Sequence, residues 1–389
     1  MTQPALRPGL LRFFLTVTSI MGLLHFYIGA RILDAFLLSP FAKIIIILLV
    51  LLAFAALTMG FLARFIISES KYADFFSWLG MLSMGLFSSV LVLTFLRDIV
   101  LVVSSFFFDY ILLAKLHIYS EVFVLIGAAL ASIIGLIAVI RAPDVIQVKI
   151  PIKNLSPDLK DFTIVQLSDI HIGPTIKGNY LARIVEQVNQ LKPSIVAITG
   201  DLIDGTVEKL QADVAPLQNL QSQYGTYFVT GNHEYYSGVS DWIVYLRSLG
   251  IRVLLNEHQI IQHKNSKVVV AGICDYSAGQ FIPQHTPNPE LALAGTETLD
   301  ALKIMLAHQP RSITDIAKTG AQVQLSGHTH GGQFWPWNFF VKLQQPYNVG
   351  LHKLNNLWIY INRGTGYWGP PKRLGKRSEI TLIRFIAQQ

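Results

Sequence analysis

Four long apolar stretches before residue 141 constrain this chain more than any other feature. A helical span of the bilayer core takes about 20 consecutive apolar residues. Leu10–Ile32 is interrupted only by Arg12, His25 and Arg31, and Ile44–Ile67 opens on Ile-Ile-Ile-Ile-Leu-Leu-Val-Leu-Leu. Phe75–Leu96 and Val122–Ile140 carry no charge. The first stretch lacks a small-residue cleavage site and more spans follow it, so it reads as a retained helix rather than a signal peptide. Arg97 and Asp98 are expected at the membrane surface, at the end of the third span, with an interfacial segment after them. His25 and His117 are expected at the interface.

Residues 1–140 are therefore expected to form a membrane region of about four helices. Four spans return the chain to its starting side. On that side fall Arg7, Arg12, Arg64, Lys71, Arg141, Lys149 and Lys153, against Arg31, Lys43, Arg97 and Lys115 on the other. Basic loops stay in the cytoplasm. The count predicts a multi-pass protein of the cell (inner) membrane with its C-terminal part in the cytoplasm.

The rest of the chain has ordinary soluble character. The 52% hydrophobic and 14% charged content of the 389 residues reflects the membrane region, since soluble domains carry about a quarter charged residues. The net charge is +7 without a long basic run, which argues against nucleic acid as a partner. The small cluster Lys372, Arg373, Lys376 and Arg377 suits anionic headgroups or substrates better. No obligate protein partner is evident. The single cysteine, Cys274, forbids an intrachain disulfide and is expected to be a buried, nearly apolar residue.

Residues 141–158, punctuated by Pro143, Pro151 and Pro157, read as a linker, and 159–389 as one domain. Strands are expected at Phe162–Leu167, Ser194–Thr199, Thr226–Thr230, Lys267–Ile273, Lys303–Leu306, Gln322–Leu325, Leu357–Asn362 and Ile380–Phe385. Helices are expected at Tyr180–Leu191, Val239–Leu249 and Ser312–Lys318. This alternation defines an α/β domain.

Just past five of these strands stand metal-capable side chains: Asp169 and His171, Asp201 and Asp204, Asn232 with His233 and Glu234, His308, and His328 with His330. Loops leaving the carboxyl ends of strands build the sites of α/β sheets. Imidazole with carboxylate suits two divalent ions (Mn, Zn or Fe), and the lack of clustered thiolates argues against a structural cysteine site. Two such ions clamp the attacking and leaving oxygens of a phosphoryl displacement. Asp169 and His171, two apart, point the same way if their segment is extended. Each motif alone is weak, since Gly-Asp-X-X-Asp or Gly-Asn-His often marks only a turn. The five in order are specific. His258, His263, His285 and His352 match no motif and are expected to be exposed. For Asp275 a turn-forming role is favoured over one at the site rim.

The series Asp-X-His, Gly-Asp-X-X-Asp, Gly-Asn-His-Glu, His and Gly-His-X-His resembles the calcineurin-like metallophosphoesterase superfamily over roughly residues 160–386. Asp169-Ile-His-Ile-Gly-Pro174 and Arg363-Gly-Thr-Gly-Tyr-Trp-Gly-Pro-Pro371 resemble its bacterial YkuE/YaeI-like subgroup, some members of which carry membrane helices ahead of the catalytic domain. The resemblance implies a four-layer α/β-β/α sandwich. It implies one metal on Asp169, His171, Asp201 and His330, and a second on Asp201, Asn232, His308 and His328. It further implies a hydroxide between the metals as nucleophile and His233 as general acid, with Asp204 orienting either a metal ligand or His233.

Arg363, Trp368 and Arg373, on one glycine-rich loop, are expected either as substrate contacts or as a structural turn between two strands, and Trp335 either lines the substrate cleft or dips into the headgroup layer. The function expected is hydrolysis of a phosphodiester or pyrophosphate bond, a lipid-linked substrate being one candidate. The alternatives are a phosphoprotein or nucleotide phosphatase merely localised by the membrane, and a metal-binding membrane sensor without turnover.

Overall fold

The structure is a computed structural model and describes residues 8–36, 38–66 and 72–388. Arg7, Lys71 and Ile67 of the expectations above lie outside the described residues. The chain divides into two compact units. The first takes the chain to Leu136 together with Gly369–Pro371, and the second takes Ile137–Trp368 and Lys372–Gln389.

The first unit is built from α1 (Pro8–Ala35), α2 (Pro40–Ile66), α3 (Ala73–Ser104) and most of α4 (Tyr110–Ile140). All four are long and apolar enough to cross a membrane. Gly60 of α2 and Gly80 of α3 face each other so closely that a Cβ on either would overlap the other's backbone. Small residues of this kind let helices pack without a hydrophobic driving force.

Arg97 departs from expectation. α3 does not end there but runs on to Ser104, and the Arg97 side chain is only 2% exposed. Its Nε lies 3.2 Å from Glu121 and donates to Ser120, and an Nη donates to the His117 carbonyl. Asp98 in turn accepts from Tyr27 and pairs with Arg31 at 2.8 Å. Partners from α1 and α4 compensate the burial of charge, which an unpaired arginine would not survive. His25 is likewise buried among the helices, stacked on Phe87.

The second unit holds two six-stranded mixed sheets. Its strands are β1 (Asp144–Ile152), β2 (Thr163–Leu167), β3 (Ile195–Ile198), β4 (Thr226–Phe228), β5 (Arg252–Val253) and β6 (Glu257–His263), followed by β7 (Ser266–Gly272), β8 (Ala301–Leu306), β9 (Val323–Ser326), β10 (Gly350–Leu354), β11 (Leu357–Ile361) and β12 (Glu379–Ala387). The sheet orders are β1-β12-β2-β3-β4-β5 and β10-β11-β9-β8-β7-β6. β2, β3 and β4 run parallel, as do β7, β8 and β9.

The period-2 pattern of the strands sorts their faces. Ile164, Ile195, Tyr227, Val268, Val270, Ile304, Leu306, Val323 and Leu325 join one core between the sheets. Val269, Ala271, Met305, Ile359 and Ile361 turn outward and pack with Ile313 and Ile316 of a short helix. On the first sheet's side, α5 (Gly178–Gln190) buries Leu181, Ile184, Val185 and Val188. Two sheets back to back with helices outside realise the expected α/β sandwich.

Residues 144–152 correct the linker expectation. They form β1, paired in parallel with β12 from Asp144↔Glu379 to Ile152↔Ala387. Pro151 is tolerated because β1 is an edge strand, where a missing N–H costs no ladder bond.

Candidate metal centre

Every motif segment leaves the carboxyl end of a strand: Asp169 and His171 after β2, Asp201 and Asp204 after β3, Asn232 after β4, His308 after β8, and His328 and His330 after β9. Asn232 opens the short helix α6 (Asn232–Tyr236). The segment around Asp169 and His171 is not extended. Asp169, His171, Asp201, His328 and His330 all have φ between 49° and 70°. Left-handed backbone is costly for residues with a Cβ and persists where surroundings over-determine it. Here backbone bonds do so: Asp169 N–H donates to Gly200 O, and His171 N–H to Asp201 O.

The donor atoms converge in two groups. In the first, His171 Nε2 lies 3.1 Å from His330 Nε2, which lies 3.5 Å from Asp169 Oδ1. In the second, His308 Nε2 lies 3.1 Å from both His328 Nδ1 and Asp201 Oδ2. Asp201 Oδ2 is also 3.9 Å from His171 Nε2, so it stands between the groups. The sets Asp169/His171/His330 and Asp201/His308/His328 each place their ligand atoms within 4.8 Å of one another.

Three features fit two divalent cations. Facing imidazole nitrogens at 3.1 Å leave lone pairs converging on a common point. Asn232 Oδ1 is buried without a hydrogen-bond donor, which is costly unless something else satisfies it. His308 Nδ1 is held by Thr199 O at 2.8 Å, which turns Nε2 toward the centre, as supporting contacts of metal-binding histidines do.

Electrostatics reinforce the arrangement. Burial opposes ionisation of Asp201, but His308 and His233 overcome it and hold its carboxyl well below the usual range. Burial together with the charge of His308 pushes His328 down to about 3. Glu234 is fully buried and accepts from the amides of Gly231, Asp201 and Leu202 at 2.6, 3.0 and 2.8 Å. Burial and the neighbouring Asp201 charge push Glu234 up to about 7. It braces the two loops through these three amides.

His233 Nδ1 contacts Asp204 Oδ1 at 2.6 Å, and the same oxygen is 3.1 Å from His171 Nδ1. Burial alone would lower His233, but Asp201 and Asp204 outweigh it and raise it to about 9.

At the rim, the Trp368 ring is 5.9 Å from His233, and Tyr236 is 5.3 Å from it on another side. Phe281 continues the surface 5.6 Å from Tyr236. Trp335, Trp368, Tyr236 and Phe281 are all exposed. Phe281 gave no signal in the sequence, since no spacing ties a lone aromatic 48 residues away to a histidine loop, whereas Tyr236 lies within the His233 segment itself.

Arg363 pairs through Nε with Glu379 at 2.8 Å. Arg373 is not available to substrate. It is buried, and its guanidinium donates to the carbonyls of His330, Arg363 and Gly366. The basic cluster at the C-terminus is therefore no surface patch: Lys372 is also buried, and Arg377 pairs with Asp144. His263 is buried too, bonded to Tyr224 and Asp161.

An α/β domain with Asp, Asn and His donors gathered at the carboxyl ends of parallel strands has the build of a metal-dependent phosphoester hydrolase. The model of the calcineurin-like phosphoesterase family matches residues 162–332. An uncharacterized metallophosphoesterase of Aquifex aeolicus is 31% identical over 229 residues, covering 58% of this chain and 86% of the relative. A transmembrane protein with metallophosphoesterase domain from Danio rerio is 38% identical over 270 residues, 67% of this chain. The uncharacterized metallophosphoesterase YkuE of Bacillus subtilis is 29% identical, covering 57% of this chain and 78% of its own length. The match spans 62% of the Danio rerio protein and 59% of a similar Bos taurus one. The chain belongs to the calcineurin-like metallophosphoesterase family.

Proposed function

We propose that this chain is a membrane-anchored phosphoesterase that uses two divalent cations to hydrolyse a phosphodiester or pyrophosphate bond. The observation carrying this reading is the position of Asp201 between two histidine groups, 3.1 Å from His308 and 3.9 Å from His171. Asp169, His171, Asp201 and His330 would hold one cation, and Asp201, Asn232, His308 and His328 the other. When bound, such a pair activates water and neutralises phosphoryl oxygens.

The remaining steps belong to side chains. Asp204 fixes His233 Nδ1, which leaves Nε2 to give its proton to the departing oxygen. Trp368, Trp335 and the Nη groups of Arg363 contact the substrate beyond the reacting phosphorus. The exposed rings beside His233 favour a leaving group with an apolar or planar part, which suits a lipid-linked substrate. The membrane region takes residues 1–140, and the catalytic part begins at β1. The basic-residue count supports a cytoplasmic position for that part. The metals are Mn, Zn or Fe.

The test uses the full chain in liposomes. His233→Ala is expected to lower kcat toward a nitrophenyl phosphodiester by about 10²–10⁴-fold while bound metal is unchanged. A wild type inert toward every phosphoester would favour the sensor reading. Equal kcat/KM for lipid-presented and soluble diesters would remove the lipid-linked substrate.

A further inference from the structure

Outside the metal-ligand set, one buried polar string ends at the site without an assigned purpose. Asp275 is fully buried. Its carboxylate accepts from the Ser277 amide and hydroxyl at 2.8 and 2.5 Å and from Gln309 Nε2 at 3.1 and 3.0 Å. An ionised carboxylate only accepts, so it fixes which end of the Gln309 amide faces it. The amide's Oε1 is thereby turned away and takes Arg311 Nε at 2.7 Å. The Arg311 guanidinium also lies over the Tyr276 ring, 4.0 Å from its centroid.

Arg311 is thus held on one edge and one face. Among the described residues, its Nη nitrogens take no protein acceptor. The string is anchored to the site at both ends. Gln309 follows His308, and the Asp275 amide donates to Thr230 Oγ1, just ahead of Gly231 and Asn232. A chain that needed only a surface cation would have no cause to bury a carboxylate and an amide behind it.

We propose that Arg311 is the anion clamp of this site, offering its Nη fork to phosphoryl oxygens of the substrate, with Asp275 and Gln309 as its positioning residues. The fork geometry matches two oxygens of one phosphate, and stacking on Tyr276 lowers the entropy cost of that match. Asp275 therefore acts at the site rim through Gln309, beyond the turn that it also makes with Ser277. The inference rests on the phosphoesterase reading. The oxygens belong either to the phosphate being cleaved or to one adjacent to it.

The experiment compares wild type, Arg311→Gln, Arg311→Lys and Asp275→Asn in the full metal-loaded chain. Monoester, diester and pyrophosphate substrates give kcat/KM. Binding of inorganic phosphate is followed by calorimetry, and metal content by mass spectrometry. Arg311→Gln is expected to lose about 10- to 100-fold in kcat/KM, the worth of one or two charge-assisted hydrogen bonds. Phosphate binding should weaken in proportion, with metal content unchanged. Arg311→Lys should recover only part of the loss, and Asp275→Asn should fall between.

A loss across all substrates assigns the clamp to the cleaved phosphate, and a loss confined to the pyrophosphate assigns it to the neighbouring one. Unchanged kcat/KM and phosphate binding in Arg311→Gln overturn the proposal. A wild type without turnover overturns the phosphoesterase reading instead. The phosphate-binding comparison then still decides Arg311: weaker binding upholds the clamp, and equal binding rejects it.

Discussion

Glu234 uses both carboxylate oxygens on backbone amides of two different loops. Glu234→Ala would leave three buried N–H groups unpaired, each costing about 1–3 kcal/mol. We expect a fall of several degrees in the unfolding midpoint of the full chain, together with weaker metal retention. Lys372 makes a different statement about stability. Burial lowers its amine to about 8, against about 10.4 in an unfolded chain. Between those values the unfolded state binds the extra proton, so stability rises with pH from about 8 to about 10. Lys372→Met should raise the midpoint at pH 7 and flatten this rise, as read from thermal unfolding at several pH values. The metal-capable residues were legible because their identities and spacing carry the chemistry directly. The left-handed backbone of Asp169 and His171 was not. It arises from cross-loop amide bonds to Gly200 and Asp201, partners about 30 residues away.

Among the elements, the central strands were readable because short apolar runs bounded by glycine or polar loops have few other uses. β1 was hidden by Pro151 within it and Pro143 just ahead of it, since a proline marks a break in a central strand but not at an edge. Its pairing takes the apolar β12 off the edge of the first sheet and leaves there a strand blunted by Lys149 and Pro151. A fragment beginning at Lys153 is therefore expected to self-associate through β12, whereas one beginning at Arg141 stays monodisperse by size-exclusion chromatography. Gly327 shows how closely the elements meet. A Cβ there would fall on Ser168 and Asp169, in the crossing between the loops after β9 and β2. Gly327→Ala should displace Asp169 and lower metal content as well as activity, with the helices of the membrane region unaffected in circular dichroism.

For the whole molecule, apolar length alone made the four helices legible. The ion network of Arg97, Asp98, Glu121 and Arg31 was not, because it depends on which helices adjoin. Removing Arg97 from the loop charges leaves the predicted cytoplasmic excess of basic residues intact. Reporter fusions at both ends of the membrane region test that orientation. The account as a whole depends on two cations sharing Asp201. Its most direct test is the metal content of the purified full chain beside its diesterase activity, for wild type and Asp201→Ala. We predict about two ions per chain in the wild type, with both metal and hydrolysis lost in the variant. A wild type that binds no more than one ion, or an Asp201→Ala variant that keeps full activity, would contradict a shared binuclear centre.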